Sequence, residues 1–302
     1  MKPASDSIRR AQPLLGTFVE IEASGAARGD LQAAISQAFE TVADVHHLMS
    51  FHEPDSDVSR LNREAATRPV NVHPWTHQVL RLSSELYTAS AGLFDIAVAD
   101  ELQRLGLLPR FEADTLPGDA TRTPGQPVEL LPERRVRFTR PDVQIDLGGI
   151  AKGFAVDRAV ETLRARGVPQ GLVNAGGDIA VYGPSPFTVH VRDPRHPGRT
   201  LLPIEIRNEA VASSGNAFDR PSDAPTMTII DPATRRPATR ICGATVRAPF
   251  CVLADALTKL VILAGQSAEA LLAKYDASAL LVPRTGDTLV TQSWAEEVRS
   301  AS

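Results

Sequence analysis

Apolar residues recur at helical spacing in several stretches of the chain. Between Leu31 and Met49 they lie three and four positions apart, which predicts an amphipathic helix, and Asp30 is placed to cap it. Further helices are predicted over 76–89, from Gly149 to Gly167, over 249–264 and near 268–275. These helices are spread along the whole chain.

Short apolar runs predict strands between the helices. Early in the chain they cover 14–22 and 143–147, and polar residues predict loops over 50–62 and 110–127. Later strands are predicted at 172–174, 179–182, 188–192, 204–207, 210–213, 228–231 and 245–248, and near 280 and 289. Because these strands follow one another without alternating helices, the pattern favours an α+β fold with mixed sheets over a doubly wound parallel sheet.

Composition narrows the classes of function. The chain has 302 residues, 43% of them hydrophobic, and a formal net charge of −4, which argues against a nucleic-acid or polybasic membrane binder. Two cysteines exclude a disulfide framework, and no apolar stretch has the length of a transmembrane helix. The N-terminal residues lack the apolar run of a secretory signal. We therefore expect a cytoplasmic location, with a periplasmic one as the alternative for a chain from which a leader has been removed.

Three glycine-rich turns follow predicted strands. The segment Asp146–Gly153 (DLGGIAKG) leads into a helix, so its N–H groups can bind an anion and Lys152 can add positive charge. Asn174–Asp178 (NAGGD) and Ser213–Gly215 are the other two. Each turn alone is explained by backbone geometry, and the three together suggest a shared phosphate or cofactor cleft.

Asp255 lies on the predicted helix 249–264 among apolar residues, and a buried carboxylate needs a cation or hydrogen-bond donors. Thr258 and Lys259 follow at three and four positions and can face the same side. Two interpretations stay open. One is an Asp255–Lys259 ion pair on the helix surface, and the other is an oxygen-ligand site for a hard cation.

Taken together, the motifs resemble those of the ApbE family, the FAD:protein FMN transferases, in order from Leu15 to Gly265. The matching segments are Leu15-Gly16-Thr17, Met49-Ser50, Gly92-Leu93-Phe94-Asp95, Asp146–Gly153, Asn174–Asp178, Ser214-Gly215, Ile230-Asp231-Pro232 and Ala254-Asp255-Ala256-Leu257. The resemblance implies one ApbE-like α+β domain over 1–302, in one or two lobes, with a flavin-nucleotide cleft and an irregular insertion near 110–127.

The resemblance also implies a reaction. Members use Mg²⁺ to cleave the pyrophosphate of FAD and attach FMN, through a phosphoester, to a Thr or Ser of a partner protein, with AMP as the other product. The partner is then an acceptor flavoprotein, with no nucleic acid and no transmembrane segment involved. The alternatives are an FAD-binding protein with lost or weak transfer, an FAD pyrophosphatase that yields FMN and AMP, and a phosphate-binding protein that does not use FAD.

Site residues are carried over from the family position by position. The residues expected to line the flavin nucleotide are Met49, Leu93, Phe94, Asp95, Asp146, Lys152 and Ile229. The metal is expected at the Gly149 carbonyl, Asp255 and Thr258, and the catalytic positions are Asp146, Asp255 and Thr228.

Two departures from the family pattern concern the chemistry. The family usually has His at the position of Thr228, and a general base contributes about 10²–10⁴-fold to a rate. The family has Thr at the position of Lys259, and a protonated ammonium has no lone pair for a metal. Either Thr258 takes over the ligation, or Lys259 supplies positive charge in place of the ion.

Overall fold

The computed structural model describes residues 6–110, 125–215 and 229–295. The chain divides into two units, the first made of residues 1–46, 150–220 and 239–302 and the second of residues 47–149 and 221–238. The strands are β1 (Ser7–Leu14), β2 (Thr17–Ser24), β3 (Val70–Asn71), β4 (Val128–Leu131), β5 (Arg135–Phe138), β6 (Gln170–Ala175), β7 (Asp178–Tyr182), β8 (Phe187–Asp193), β9 (His196–Ile206), β10 (Ala210–Gly215), β11 (Ile230–Asp231), β12 (Arg236–Pro237), β13 (Ile241–Ala248), β14 (Ser278–Pro283) and β15 (Leu289–Val290). The α-helices are α1 (Arg28–Met49), α2 (Asp57–Glu64), α3 (Pro74–Ala89), α4 (Ala99–Arg104), α5 (Ala151–Ala165), α6 (Cys251–Ala264) and α7 (Glu269–Ala273).

The first unit contains an eight-stranded antiparallel sheet in the order β1-β2-β6-β7-β10-β13-β14-β15, and β8 and β9 form a separate hairpin. In β2 the side chains of Val19, Ile21 and Ala23 are fully buried, whereas Phe18, directly before Val19, is 70% exposed. This alternation follows from the two-residue period of a strand, which turns every second side chain to the same face. A hydrophobic cluster joins β7, β10 and β14 of this sheet to the β8-β9 hairpin; its buried members are Ile179, Val181, Val191, Ile204, Ile206, Val211, Leu280, Val282 and Trp294.

Helices α5 and α6 of the first unit approach each other at Gly153. A Cβ atom at this position would lie 2.3 Å from the carbonyl oxygen of Cys251 and 2.8 Å from the Cβ of Asp255, so only glycine allows this packing. The carboxylate of Asp157, on α5, accepts hydrogen bonds of 2.9 Å from the N–H groups of Cys251 and Val252 and so caps the first turn of α6. These two contacts fix the position of α6 relative to α5.

The second unit combines α2, α3 and α4 with a small sheet in the order β3-β5-β4 and the ribbon β11-β12. The buried carboxylate of Asp57 joins its elements, because it accepts hydrogen bonds from the N–H of His73 (2.8 Å) and the hydroxyl of Thr76 (2.6 Å). Leu61, Leu80 and Leu86 are fully buried in this unit.

Most predicted elements are confirmed. The predicted strand 14–22 corresponds to β2 but starts three residues too early, and the predicted strand 143–147 is wrong. The chain turns at Leu15 and Gly16, where φ is 57° and 70°, so β1 and β2 form a hairpin instead of one strand. Residues 143–147 lie in no strand: the side chain of Asn62 bonds the N–H (2.8 Å) and the carbonyl (2.9 Å) of Ile145, in place of a neighbouring strand.

The predicted loop 50–62 contains the start of α2, which Ser56 caps by accepting a hydrogen bond from the N–H of Ser59. Asp30 lies inside the first turn of α1 and not at its cap. Of the predicted insertion near 110–127, residues 111–124 lie outside the described residues.

One stretch of the described chain, Cys251–Ala273, is long and apolar enough to cross a membrane by length and composition. Slightly more than half (56%) of an apolar 18-residue window within it is buried inside the protein, as is usual for a core helix. Gly265 ends α6 within this stretch. The stretch is therefore weak evidence for a membrane span.

Candidate functional site: a buried lysine–aspartate cluster

The side chain of Asp255, on α6, is completely buried, and its oxygens accept hydrogen bonds from several donors. Oδ1 accepts from the ammonium of Lys259, one helical turn further on, and Oδ2 accepts from the N–H of Gly153 at 3.0 Å. The main-chain oxygen of Asp255 accepts from Lys259 Nζ at 2.9 Å and from the hydroxyl of Thr258 at 2.7 Å. The predicted Asp255–Lys259 ion pair is therefore present, but it is buried and not on the helix surface.

A second lysine approaches the same carboxylate. Lys152, in the first turn of α5, donates to Oδ2 of Asp178, and its Nζ lies 3.7 Å from Oδ2 of Asp255. Asp178 starts β7 after the glycines of the NAGGD turn and is 1% exposed. We call these four side chains, Lys152, Asp178, Asp255 and Lys259, the lysine cluster. Sequence reasoning identified the turn that contains Asp178 but not the role of this residue.

Burial and neighbouring charge act in opposite directions on the cluster. Burial alone would raise the pKa of Asp255, but Lys152 and Lys259 outweigh it and hold this pKa below its ordinary value. The pKa of Asp178 is raised, by burial first and then by the charge of Asp255. Burial opposes the charged form of Lys152, yet Asp178 and Asp255 together raise its pKa. Asp255 and Lys152 therefore remain ionised near neutral pH.

Thr258, predicted as a metal ligand, makes hydrogen bonds within the protein. Its buried hydroxyl lies 2.7 Å from the hydroxyl of Ser214, which stands near the end of β10. The hydroxyl of Thr258 also donates to the main-chain oxygen of Asp255. The third glycine-rich turn is thus connected to the lysine cluster, because Ser214 bonds Thr258 and Thr258 bonds Asp255.

These residues do not fit a divalent cation. Both carboxylate oxygens of Asp255 already accept from donors, and two ammonium groups lie beside them. A cation placed there would be repelled by both lysines, and the two aspartates already have the two lysines as counter-charges. Across the described residues, no three His, Cys, Asp or Glu side chains are grouped to hold a metal.

The second unit contains the other predicted ligand residues. Asp95 and Asp146 lie on adjacent segments, because the N–H of Asp146 bonds the carbonyl of Ile96 at 2.8 Å. The carboxylate of Asp95 accepts from the N–H of Ala97, and that of Asp146 accepts from the N–H of Gly148 at 3.0 Å. Both aspartates were predicted from the sequence to bind the flavin nucleotide, and the structure brings their segments together.

For the remaining residues predicted to bind the nucleotide or the metal, the structure shows burial and main-chain contacts. Met49 and Phe94 are buried at 3% and 5% exposure, which is the packing of core residues, whereas Leu93, Gly149 and Ile229 are half-buried. The carbonyl of Ile229 accepts from the N–H of Ala238. Thr228 lies outside the described residues.

The second unit also contains an ionic cluster that sequence reasoning missed. Arg235 pairs with Asp100 and Glu101 of α4, and Arg104 lies 3.1 Å from the carboxylate of Asp100. We call these four residues the arginine cluster. Burial, followed by the neighbouring Asp100, raises the pKa of Glu101 to about 7. The adjacent acids Asp100 and Glu101, in a stretch for which no helix was predicted, and the paired Arg235-Arg236 were the only signals in the sequence.

The model of the ApbE family matches residues 15–281, so the chain belongs to the ApbE family. A protein of Rhodobacter capsulatus named FAD:protein FMN transferase is 31% identical over 271 residues, covering 84% of this chain. The chain spans about half the length of that relative (50%). A Vibrio cholerae protein of the same name is 27% identical, with 95% of this chain and 90% of the relative covered.

Solved structures confirm the predicted α+β fold. The ApbE protein of Thermotoga maritima superimposes with a TM-score of 0.83 at 25% identity, covering 96% of this chain and 99% of that protein. The flavin transferase ApbE of Vibrio cholerae gives a TM-score of 0.80 at 24% identity, covering 97% and 99%.

Proposed function

We propose that this chain is an FAD:protein FMN transferase, which moves FMN from FAD to a Thr or Ser hydroxyl of a partner protein. The acceptor oxygen forms a bond to the phosphorus on the FMN side, the bond from that phosphorus to the bridging oxygen breaks, and AMP leaves. The proton of the hydroxyl passes to a base or to solvent. Membership of the ApbE family and the names of the curated relatives support this reaction.

One observation in this chain carries the proposal. Lys152 stands in the first turn of α5, where no side chain caps the helix, and two buried aspartates hold its ammonium in place. The N–H groups of this turn other than that of Gly153, which bonds Asp255, can act together with the fixed ammonium on an anion such as the pyrophosphate of FAD. Positioning and charge stabilisation are what phosphoryl-type transfer needs from a protein.

The predicted nucleotide ligands of the second unit are compatible with this role. Asp95 and Asp146 are half-buried carboxylates on adjacent segments, and carboxylates can accept hydrogen bonds from the hydroxyl and N–H groups of a flavin nucleotide. Thr228 stays a predicted catalytic position, and Asp146 and Asp255 stay predicted catalytic residues. The Mg²⁺ predicted from the family is opposed by the donors around Asp255, so no step is assigned to it.

The first test is calorimetric titration of FAD into the purified chain, followed by chromatography of the products. Transfer predicts FAD binding, and release of AMP with FMN covalently attached to protein when a cell extract of the source organism supplies acceptors. Free FMN with AMP would indicate a pyrophosphatase, and binding without cleavage would indicate an FAD-holding protein. A chain that binds no FAD would disprove all three.

A matched pair of variants sharpens the test. Lys152→Met removes the ammonium beside the two aspartates, and we expect FAD affinity to fall about tenfold or more, because a charge-assisted contact is lost. Lys274→Met removes an exposed lysine after α7 and should leave the affinity unchanged. Equal affinities in the two variants would remove Lys152 from the binding site.

Weak or lost transfer is the second candidate function, and Lys259 favours it. A chain whose divalent-cation position is filled by an ammonium can still hold FAD while transferring FMN slowly. Binding of FAD with no flavinylated protein and no AMP after prolonged incubation would select this alternative.

A further inference from the structure

We propose that the ammonium of Lys259 takes the place of a divalent cation at Asp255, so that the oxygens of Asp255 are satisfied without metal and the chain binds its flavin nucleotide without Mg²⁺. The part that concerns the nucleotide rests on the proposed function. The part that concerns the cation rests on the first unit alone.

The contacts of Lys259 are those of a bound cation. Its Nζ reaches Oδ1 and the main-chain oxygen of Asp255 together, so one charge bridges two oxygens of one residue. Its side chain is 16% exposed, whereas that of Asp255 is fully enclosed. A divalent cation would need the same oxygens, and it would have to displace the ammonium to reach them.

The charges of the cluster lead to the same conclusion. Asp178 and Asp255 supply two negative charges, and Lys152 and Lys259 supply two positive ones. An added divalent cation would give this buried cluster a net positive charge with no counter-charge.

The use of lysine in this chain is selective. The sequence contains four lysines, Lys2, Lys152, Lys259 and Lys274, among 32 basic residues. In the part of the chain that the structure describes, the ion pairs outside the cluster use arginine or histidine as the cation. Lysine is a compact point charge, whereas arginine is a planar fork with a fixed donor geometry. In the lysine cluster, the cations are therefore compact ammonium groups, which resemble a single metal ion more closely than a guanidinium does.

The test measures binding of Mn²⁺, used in place of Mg²⁺, to the chain without nucleotide, by electron paramagnetic resonance of the free ion. The wild-type chain should show no site that depends on Asp255. Lys259→Thr removes the ammonium and adds a hydroxyl oxygen, and we expect Mn²⁺ to bind about tenfold or more tightly than to wild type. Lys259→Met removes only the charge and should bind more weakly than Lys259→Thr. Lys274→Thr makes the same residue change at an exposed lysine and should match wild type.

A second arm compares FAD binding by the wild-type chain in EDTA and in Mg²⁺. Equal affinities are expected, whereas Lys259→Thr should bind FAD more tightly with Mg²⁺. The wild-type measurements decide the proposal even if the variants do not fold. Tight Mn²⁺ binding by wild type that Asp255→Asn abolishes would overturn the inference, and so would a folded Lys259→Thr that binds no Mn²⁺.

The two arms separate this inference from the proposed function. FAD binding that requires Mg²⁺ in wild type would refute the inference and leave the transferase proposal standing. Absence of FAD binding under all conditions would refute the proposed function and the nucleotide part, while the Mn²⁺ results would still decide the cation part.

Discussion

The lysine cluster of the first unit and the arginine cluster of the second have the same formal composition. Each contains two carboxylates and two cations. In the lysine cluster the pKa of Asp255 is held below its ordinary value, whereas in the arginine cluster the pKa of Glu101 is raised to about 7. Two buried acids in clusters of equal charge count, Asp255 and Glu101, therefore shift in opposite directions, and within the lysine cluster the pKa of Asp178 is raised as well.

The difference lies in where the donors are. Asp255 receives a donor on each carboxylate oxygen, from Lys259 and from Gly153. Glu101 receives Arg235 on Oε1, and its buried Oε2 has no hydrogen-bond partner among the described residues. Burial disfavours the ionised form of both acids. Only in Asp255 do both carboxylate oxygens accept hydrogen bonds that offset this effect. The local arrangement of donors, and not the charge count, decides which acid stays ionised.

Removing Asp255 should give the largest loss of stability. Asp255→Ala leaves two ammonium groups with one buried carboxylate, and we expect the free energy of unfolding to fall by about 3–5 kcal/mol. Urea denaturation measures it, with Asp44→Ala on the exposed side of α1 as the control. A loss no greater than that of the control would show that the cluster contributes no net stability.

Removing Arg235 should have a smaller effect. Arg235→Ala leaves Asp100 and Glu101 buried, but Arg104 keeps its contact with Asp100 and the side chain of Arg235 is 23% exposed, so we expect a loss of about 2–3 kcal/mol. The neighbouring Arg236 is exposed, and Arg236→Ala is the matched control in the same denaturation experiment. If Arg235→Ala costs more than Asp255→Ala, the ranking of the two clusters is wrong.

The smallest effect concerns pH. The pKa of Glu101 is about 7 in the folded chain and 4.5 ordinarily, so between these values the folded state holds a proton that the unfolded state has released. Stability should therefore fall as the pH rises from about 4.5 to 7, and Glu101→Gln should remove about 1–2 kcal/mol of that fall. Thermal unfolding across this range measures it. Glu85→Gln, at an exposed acid on α3, should leave the slope as in wild type.

Prediction from the sequence was most successful where local periodicity carries the information. The helices α3, α5 and α6 and most strands of the large sheet follow from spacing, and the α+β class follows from their order. It failed where side chains replace backbone pairing, as Asn62 does at Ile145, and where a turn forms at a non-glycine residue such as Leu15. Neither feature has a repeating pattern along the chain.

In the candidate site, too, some features were predicted from the sequence and others were not. The motifs identified Lys152 and Asp255, and the departure at Lys259 was visible as a residue type. Sequence reasoning left open whether Thr258 would bind a metal or Lys259 would replace it, because the outcome depends on which donor reaches which oxygen. The structure pairs Thr258 with Ser214 and Lys259 with Asp255.

The sequence by itself determined the order of the elements, the family motifs and the presence of an ammonium one turn after Asp255. Only the tertiary structure decided that Lys152 meets Asp178, 26 positions away, and that Gly153 donates to Asp255, 102 positions away. Periodicity reports which face of an element is buried, but not which element covers it. Long-range packing therefore turned an ordinary helical ion pair into a closed cluster, because it removed water and brought a second lysine to the same carboxylate.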